Sequence, residues 1–233
     1  MMVNLFSIFD PSTSYMLSLN WLVILIVMMF LPMYYYVVPS YYVMSLNFVV
    51  SYMYNEFKLF LKCNYSSYLF SVMMYFIFIF NFVGLFPFIF TLTSHMVFTV
   101  SFALSLWLCY MFYGWINFYN LMFSHLVPQG TPFMLMFFMV LIETISNIIR
   151  PLTLSVRLGA NMIAGHLLLC LIGNLGPLLN EVFLFSLIII QLCLYILELG
   201  VSLIQAYVFS VLSSLYSSEV EMEDKYFSSY MLI

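Results

Sequence analysis

Two long stretches without any charged residue restrict the fold of this chain more than any other feature. Residues 63–142 contain no Asp, Glu, Lys or Arg, and neither do residues 11–55. Charged residues make up 6% of the 233-residue chain, whereas a soluble domain carries about 25%. Because stretches of this kind are solvated by lipid or by other protein, the chain is predicted to be an integral membrane protein embedded in a lipid bilayer.

The apolar stretches favour helices, since a membrane barrel needs alternating strands of about 10 residues and none occur. Residues 16–38 predict a first span, and residues 68–115 predict two more. Residues 43–62 mix Asn, Glu and Lys with Tyr, Val and Phe, which is typical of an amphipathic helix at the membrane surface. The segment "HLVPQGTP" (125–132) predicts a loop, because proline and glycine break helices.

Two unusually long apolar segments follow, residues 133–173 and 178–216. At 1.5 Å per residue each would be roughly 60 Å long, about twice the hydrocarbon thickness. Each could be two spans, but neither contains a polar turn, so we predict one long, strongly tilted helical hairpin over 133–216. The predicted fold class is an all-α, polytopic membrane protein with a single domain over 1–233 and a polar tail at 219–233.

Polar residues recur at helical spacing along both long segments. The stripe on the first segment consists of Glu143, Asn147, Arg150, Leu154, Arg157 and Asn161. The stripe on the second consists of Gln191, Glu198, Ser202 and Gln205. An unpaired polar group in hydrocarbon costs several kcal/mol, so we do not expect these stripes to face lipid without a function.

Arg157 is the only charged residue between Pro151 and Asn180. An arginine keeps its charge in any protein setting, and placing it at the centre of a bilayer helix costs roughly 3 kcal/mol on insertion scales. Three interpretations are open. Arg157 could join the helices by bonding to Gln205 or Glu198, it could snorkel from a helix end, or it could belong to an ion pathway.

The other ionisable residues differ in what they can do. Glu143, Glu198 and His166 can bind and release protons, which suits a relay. His166 lies nine positions after Arg157 and is expected to face away from it, either in a separate aqueous path or as a satisfied core histidine. Arg150 is expected to cap or snorkel.

Several classes of function lack their sequence signals. No G-x-x-x-x-G-K-[ST] motif is present to bind nucleotide phosphates, and no basic patch indicates nucleic acid. Three histidines cannot supply the four axial ligands of a two-haem bundle. The four cysteines, Cys63, Cys109, Cys170 and Cys193, lie singly in apolar surroundings and are expected to be buried thiols. No cofactor and no metal are expected.

Four segments together resemble a known family: "IETISNIIRPLTLSVRLGANMIAGHLLL" (142–169), "ILELGVSLIQAYVFSVLSSLY" (196–216), "NFVGLFPFIFT" (81–91) and "HLVPQGTP" (125–132). They resemble the a subunit of the rotary proton-driven ATP synthase in its animal mitochondrial form. The resemblance covers nearly the whole chain, and the R-L-x-x-N motif with a downstream Q-A-Y is its most specific part.

The resemblance implies a proton-translocating stator subunit that is not an enzyme by itself. Its implied partners are a ring of small c-type proteolipid subunits with a mid-membrane carboxylate, the peripheral stalk and other membrane-sector subunits. Arg157 matches the family's required arginine. Asn161 matches its helix-facing asparagine, and Gln205 matches the glutamine opposite.

The resemblance also implies two half-channels. Glu198 and His166 match a pair that lines the half-channel open to the intermembrane space, and Glu143 matches the acid of the matrix-side half-channel. Two features depart from the family. Gly159 stands where many animal members carry threonine, and "EMEDKYFSSYMLI" runs past the usual end and is expected to be a solvated or partner-contacting extension.

Composition bears on where the protein is made. The chain contains 26 Phe, 19 Met and 19 Tyr, as an AT-rich small genome would encode, and its first basic residue is Lys58, so no Arg-rich transit peptide is visible. We expect an organelle-encoded protein of the mitochondrial inner membrane, although a bacterial origin is physically compatible.

Two other functions are compatible with an apolar chain of this kind. A stand-alone channel or secondary transporter would need repeated interrupted helices, and the long segments instead read as unbroken. An architectural subunit of a respiratory complex would leave Arg157 unexplained.

Overall fold

The computed structural model describes residues 5–13, 18–29, 38–61, 64–86, 89–127, 132–178 and 180–230, with side chains described as far as Ser218. Several sequence predictions therefore lie partly or wholly outside the described residues. These are parts of the first span (16–17 and 30–37), the centre of the 125–132 loop (128–131), Lys62, Cys63, and the side chains of the 219–233 tail.

The described part of the chain is helical between short connections and contains no strand. Its α-helices are α1 (Val23–Met29), α2 (Tyr41–Phe60), α3 (Asn64–Gly84), α4 (Met96–Asn117), α5 (Tyr119–His125), α6 (Phe133–Leu175) and α7 (Glu181–Tyr230). Within the described ranges, α3, α4, α6 and α7 are long and apolar enough to cross a membrane. The prediction of an all-α, multi-pass membrane protein is thus confirmed.

Helices α6 and α7 are each one helix, of 43 and 50 residues. Their lengths correspond to about 65 and 75 Å, roughly twice a bilayer's hydrocarbon thickness, so both must be strongly tilted or project beyond it. Pro151 lies inside α6. Because proline has no N–H, the carbonyl of Asn147 loses its helical hydrogen bond there.

One hydrophobic core joins four helices. It contains Ile77 of α3, Ala103 of α4, Leu154 and Leu158 of α6, and Ala206 and Phe209 of α7. The opposite faces of α6 and α7 expose large apolar side chains such as Leu152, Ile196 and Leu203. Exposed apolar faces of this kind suit contact with lipid or with another membrane subunit.

Small residues let these helices approach closely. Ser155, Ser210 and Ser214 are fully buried, and each hydroxyl donates a hydrogen bond of 2.8 Å to a carbonyl three residues earlier in its own helix. Because the hydroxyls are satisfied locally, the serines act as small residues at the helix interfaces. This close packing fixes where the polar residues of α6 and α7 lie.

Helix α2 packs on α3 through one buried face. Its N-terminus is capped by Ser40, whose Oγ accepts a hydrogen bond of 3.4 Å from the Val43 amide. Phe57 packs against Phe70 of α3, whereas Phe48 and most of the other aromatic side chains of α2 are exposed. That one-sided burial accords with an amphipathic helix, and its position at a membrane surface stays a prediction.

Candidate functional site

Arg157 lies near the middle of α6, with its side chain exposed. The nearer end of α6 is 18 residues away, about 27 Å along the axis, which is too far for a simple snorkelling position at a helix end. Among the described residues no carboxylate forms an ion pair with it. The neighbouring Leu154 and Leu158 are buried, so the guanidinium occupies the outward face of the helix.

Asn161 and Gln205 join α6 to α7 one turn from Arg157. The Asn161 Nδ2 donates a hydrogen bond of 3.0 Å to the Gln205 Oε1. Gln205 is buried, whereas Asn161 is exposed. Since Gln205 bonds to Asn161 and Glu198 has no ion pair in the described part of the chain, the structure does not favour Arg157 as the residue that ties the two helices together.

Glu198 belongs to α7 and is in close contact with α6. Its side chain is buried and packs directly against Gly165. A Cβ atom at position 165 would come within 2.8 Å of the Glu198 carboxyl carbon. A larger residue at position 165 would require the flexible Glu198 side chain to move. One carboxylate oxygen, Oε2, is buried without a hydrogen-bond partner among the described residues.

His166 and Asn81 connect α3 to the other two helices near Glu198. His166 is half-buried beside the backbone of Gly84, at the end of α3. The fully buried Asn81 donates from Nδ2 to the Ser202 carbonyl oxygen at 3.4 Å, one turn of α7 from Glu198. The Asn81 Oδ1 and His166 Nε2 are also buried without partners among the described residues. Buried polar atoms without a protein partner usually form hydrogen bonds with internal water molecules.

We call this region the α3–α6–α7 junction, and define it by Asn81, Gly165, His166, Glu198 and Ser202. The structure places Glu198 and His166 in it together, but no hydrogen bond joins them. His166 contacts α3, whereas Arg157 is exposed on the outward face of α6. His166 and Arg157 therefore lie on different faces of α6.

A cavity of about 460 Å³ lies at the other end of α6, between α4, α5, α6 and α7. Helices α6 and α7 contribute most of the polar side chains that line it: Glu143, Thr144, Asn147 and Arg150 of α6, and Ser213 and Tyr216 of α7. Most of the remaining lining is apolar, including Trp107 and Met111. The volume far exceeds the roughly 30 Å³ that one water molecule occupies in the liquid, so the polar side chains can be hydrated. We call this space the Glu143 cavity.

Glu143 and Arg150 face each other on the wall of the Glu143 cavity. The Arg150 Nη2 is 4.0 Å from the Glu143 Oε1. The Arg150 guanidinium carbon also lies 5.3 Å from the centre of the Tyr216 ring. The sequence favoured a capping or snorkelling role for Arg150, and the structure instead gives it two side-chain partners inside the protein.

Comparison with known proteins identifies the family. The family model described as ATP synthase A chain matches residues 15–218. The chain belongs to this family. It is 54% identical to ATP synthase subunit a of Drosophila yakuba over 223 residues, 94% of this chain and 100% of that protein. ATP synthase subunit a of Locusta migratoria is 55% identical over 224 residues, and that of Anopheles gambiae 52% over 225, both with the same coverage.

Family membership makes the chain a proton-channel subunit of the ATP synthase membrane sector. The resemblance drawn from the sequence motifs is thereby confirmed. The matched residues include α3, α4 and α6 entirely and α7 as far as Ser218. The backbone of α7 continues as a helix to Tyr230, beyond the part that the family model matches.

Gly159 was noted as a departure from many animal members of the family. A Cβ atom there would lie 3.2 Å from the Met96 Sδ and 3.6 Å from the Thr99 Oγ1. Position 159 is therefore a close contact between α6 and the start of α4. Since the tightest neighbour is a flexible methionine, a larger residue can be accommodated if Met96 shifts.

Sequence reasoning missed three residues of the site. Asn81 carried a weak signal, because it is a polar residue within an uncharged, strongly apolar helix. Gly165 directly precedes His166, but nothing in the sequence indicates that Glu198 packs on it. Tyr216 gave no signal at all. Among the described residues, no group of three His, Cys, Asp or Glu side chains could hold a metal ion.

Proposed function

We propose that this chain is the stator subunit of a rotary ATP synthase that provides two offset aqueous half-channels and an essential arginine facing a rotating ring of c-type proteolipids. The observation that carries the proposal is Arg157, a permanent charge on the exposed face near the middle of a long apolar helix. No described residue of the chain neutralises it. A charge so placed needs an acidic partner outside the chain, and a mid-membrane carboxylate on a neighbouring subunit supplies one.

The positions of the other polar residues support two half-channels that are offset along α6. Glu143 lies 14 residues before Arg157, about 21 Å along the axis, and Gly165 lies eight residues after it, about 12 Å. The Glu143 cavity opens among α4, α5, α6 and α7, whereas the junction lies between α3, α6 and α7. Arg157 separates them, and its positive charge opposes direct proton passage from one to the other.

The residues then act in sequence. A proton from the intermembrane space passes His166 and Glu198 and neutralises a ring carboxylate, which can then face lipid as the ring turns. On reaching Arg157 another ring carboxylate loses its proton, because the guanidinium favours the ionised form. That proton leaves past Glu143 on the matrix side. The bridge between Asn161 and Gln205 holds the two helices in register beside the arginine.

This role requires no nucleotide site in the chain itself. Each elementary charge that crosses the membrane releases about 2.3 kcal/mol per 100 mV, and partner subunits use the resulting rotation to make ATP. We propose the mitochondrial inner membrane as the location and organelle DNA as the coding source, on the basis of the animal relatives and the composition. The peripheral stalk and other membrane-sector subunits would hold the chain against the torque of the ring.

The test is purification of the complex through this chain in mild detergent, with mass spectrometry of the bound proteins. We expect a multi-copy proteolipid with a buried carboxylate, together with nucleotide-binding subunits. In reconstituted vesicles, Arg157→Ala should abolish coupled proton transport. Lys58→Ala, which removes one positive charge from the exposed face of α2, is the matched control and should retain it. A chain that purifies alone, or coupled transport that survives in Arg157→Ala, would contradict the proposal.

A further inference from the structure

Arg150 is held between two side chains on the wall of the Glu143 cavity. Its guanidinium lies 4.0 Å from the Glu143 carboxylate and 5.3 Å from the centre of the Tyr216 ring. The exposed fractions of the Arg150 and Glu143 side chains are 32% and 39%, so both are in reach of water in the cavity. The three residues form a series that runs from α7 to α6: ring, cation and carboxylate.

Tyr216, Arg150 and Glu143 have different roles in this arrangement. Glu143 and Arg150 are seven residues apart on α6, which places them two turns apart on one face. An aromatic ring attracts a guanidinium over its face and restricts its position. Tyr216 thus anchors the Arg150 head group from the opposite helix, and the anchored cation attracts the Glu143 carboxylate towards one point of the cavity wall. A flexible, fully hydrated arginine would not restrict the carboxylate in this way.

We propose that Arg150, anchored by Tyr216, is a positioning residue that holds the Glu143 carboxyl group at the wall of the Glu143 cavity. The inference rests on the proposed function, because it assigns Arg150 to the matrix-side half-channel. Arg150 does not carry protons itself, since it keeps its charge throughout. It sets where Glu143 stands when a proton arrives from, or leaves towards, the ring.

Charge at position 150 should therefore affect turnover and leave assembly unchanged. We expect Arg150→Gln to lower coupled ATP synthesis in reconstituted vesicles by roughly threefold to tenfold at saturating ADP, with the KM for ADP unchanged. Arg150→Lys should restore most of the rate, because it returns the charge. Lys58→Gln removes a positive charge outside the cavity and should have no effect.

The double-variant comparison separates positioning from a structural role. If Arg150 acts through Glu143, adding Arg150→Gln to Glu143→Gln should cause no further loss of rate. Tyr216→Leu should reduce the rate in an otherwise unchanged chain and have little effect when Arg150→Gln is present, whereas Tyr216→Phe retains the ring and should stay close to the parent. Native gel electrophoresis of each complex verifies that it is assembled.

Three results would overturn the inference. They are an unchanged rate in Arg150→Gln, losses that simply multiply in the double variant with Glu143→Gln, or equal losses in the lysine and glutamine variants. None of these results would contradict the proposed function as long as Arg157→Ala abolishes transport. If Arg157→Ala transports normally, the proposed function fails first, whatever the variants at position 150 do.

Discussion

At Gly165 the absence of a side chain makes room for a functional group on another helix. A Cβ atom there would lie 2.8 Å from the Glu198 carboxyl carbon, well inside the normal separation of non-bonded carbon atoms, about 3.5–4.0 Å. The Glu198 carboxyl group would have to move away, or α6 and α7 would have to separate. Glycine at position 165 therefore allows the Glu198 carboxyl group to lie directly against α6.

We predict that Gly165→Ala lowers proton transport about tenfold or more, because the added methyl group displaces the flexible Glu198 carboxyl group from the junction and a misplaced functional group loses rate steeply. ATP-driven acidification of reconstituted vesicles measures the rate. Gly173→Ala is the matched control in the same helix, since a Cβ there meets only the Gln191 Nε2 at 3.9 Å. Equal rates of proton transport in the two alanine variants would show that the close contact between Gly165 and Glu198 is not required.

At the scale of the elements, the α6–α7 pair carries most of the site. The helices are antiparallel, so Tyr216 lies at the level of Arg150, Gln205 at that of Asn161, and Glu198 at that of Gly165. These cross-helix contacts follow one register along the pair. A slip of one turn would move every polar residue of α7 by about 5.4 Å and separate each from its partner.

This register predicts a specific cross-link. In a chain whose native cysteines are replaced by serine, a short bifunctional thiol reagent should join Asn161→Cys to Gln205→Cys, because the native side chains meet at 3.0 Å. It should join Asn161→Cys to Leu212→Cys much less, since residue 212 lies about 10.5 Å further along α7. Mass spectrometry of peptides from treated membranes measures both. Preferential cross-linking of the second pair would refute the register.

At the scale of the whole molecule, the polar residues form two separate groups on opposite sides of Arg157. Glu143 and Gly165 are 22 residues apart on α6, about 33 Å along the helix axis, with Arg157 between them. The apolar core of α3, α4, α6 and α7 borders the Glu143 cavity at Ala103, Leu154 and Phe209 and continues towards the junction through Leu158 and Ala206. The separation is a property of the assembled helices, and it is what a pair of half-channels needs.

We predict that the two groups are reached by water from opposite sides of the membrane. With native cysteines replaced by serine, Asn147→Cys should react with a membrane-impermeant thiol reagent from one side of the membrane, and Asn81→Cys from the other. Leu168→Cys, on an exposed apolar position of α6, should react from neither. Labelling of intact mitoplasts and inverted vesicles distinguishes the sides. Reaction of both asparagine sites from the same side would contradict offset half-channels.

The sequence by itself determined that this protein is surrounded by lipid, that it is helical, and which family it belongs to. Long stretches without charge require lipid, the lengths of the last two apolar segments require tilted helices, and the segment around Arg157 contains the family's motif. All of these are properties that can be read along one chain, because hydropathy and helical periodicity depend only on residue type and spacing.

Only the tertiary structure decided which partner each polar residue meets. Periodicity placed Arg150 on the same stripe as Glu143, but the Tyr216 ring that completes the series belongs to another helix. It gave no indication that Gly165 accommodates Glu198, or that Asn81 reaches the backbone of Ser202. A helical repeat fixes the face on which a side chain lies. The neighbour across that face depends on helix register and close packing, which arise only when the helices assemble.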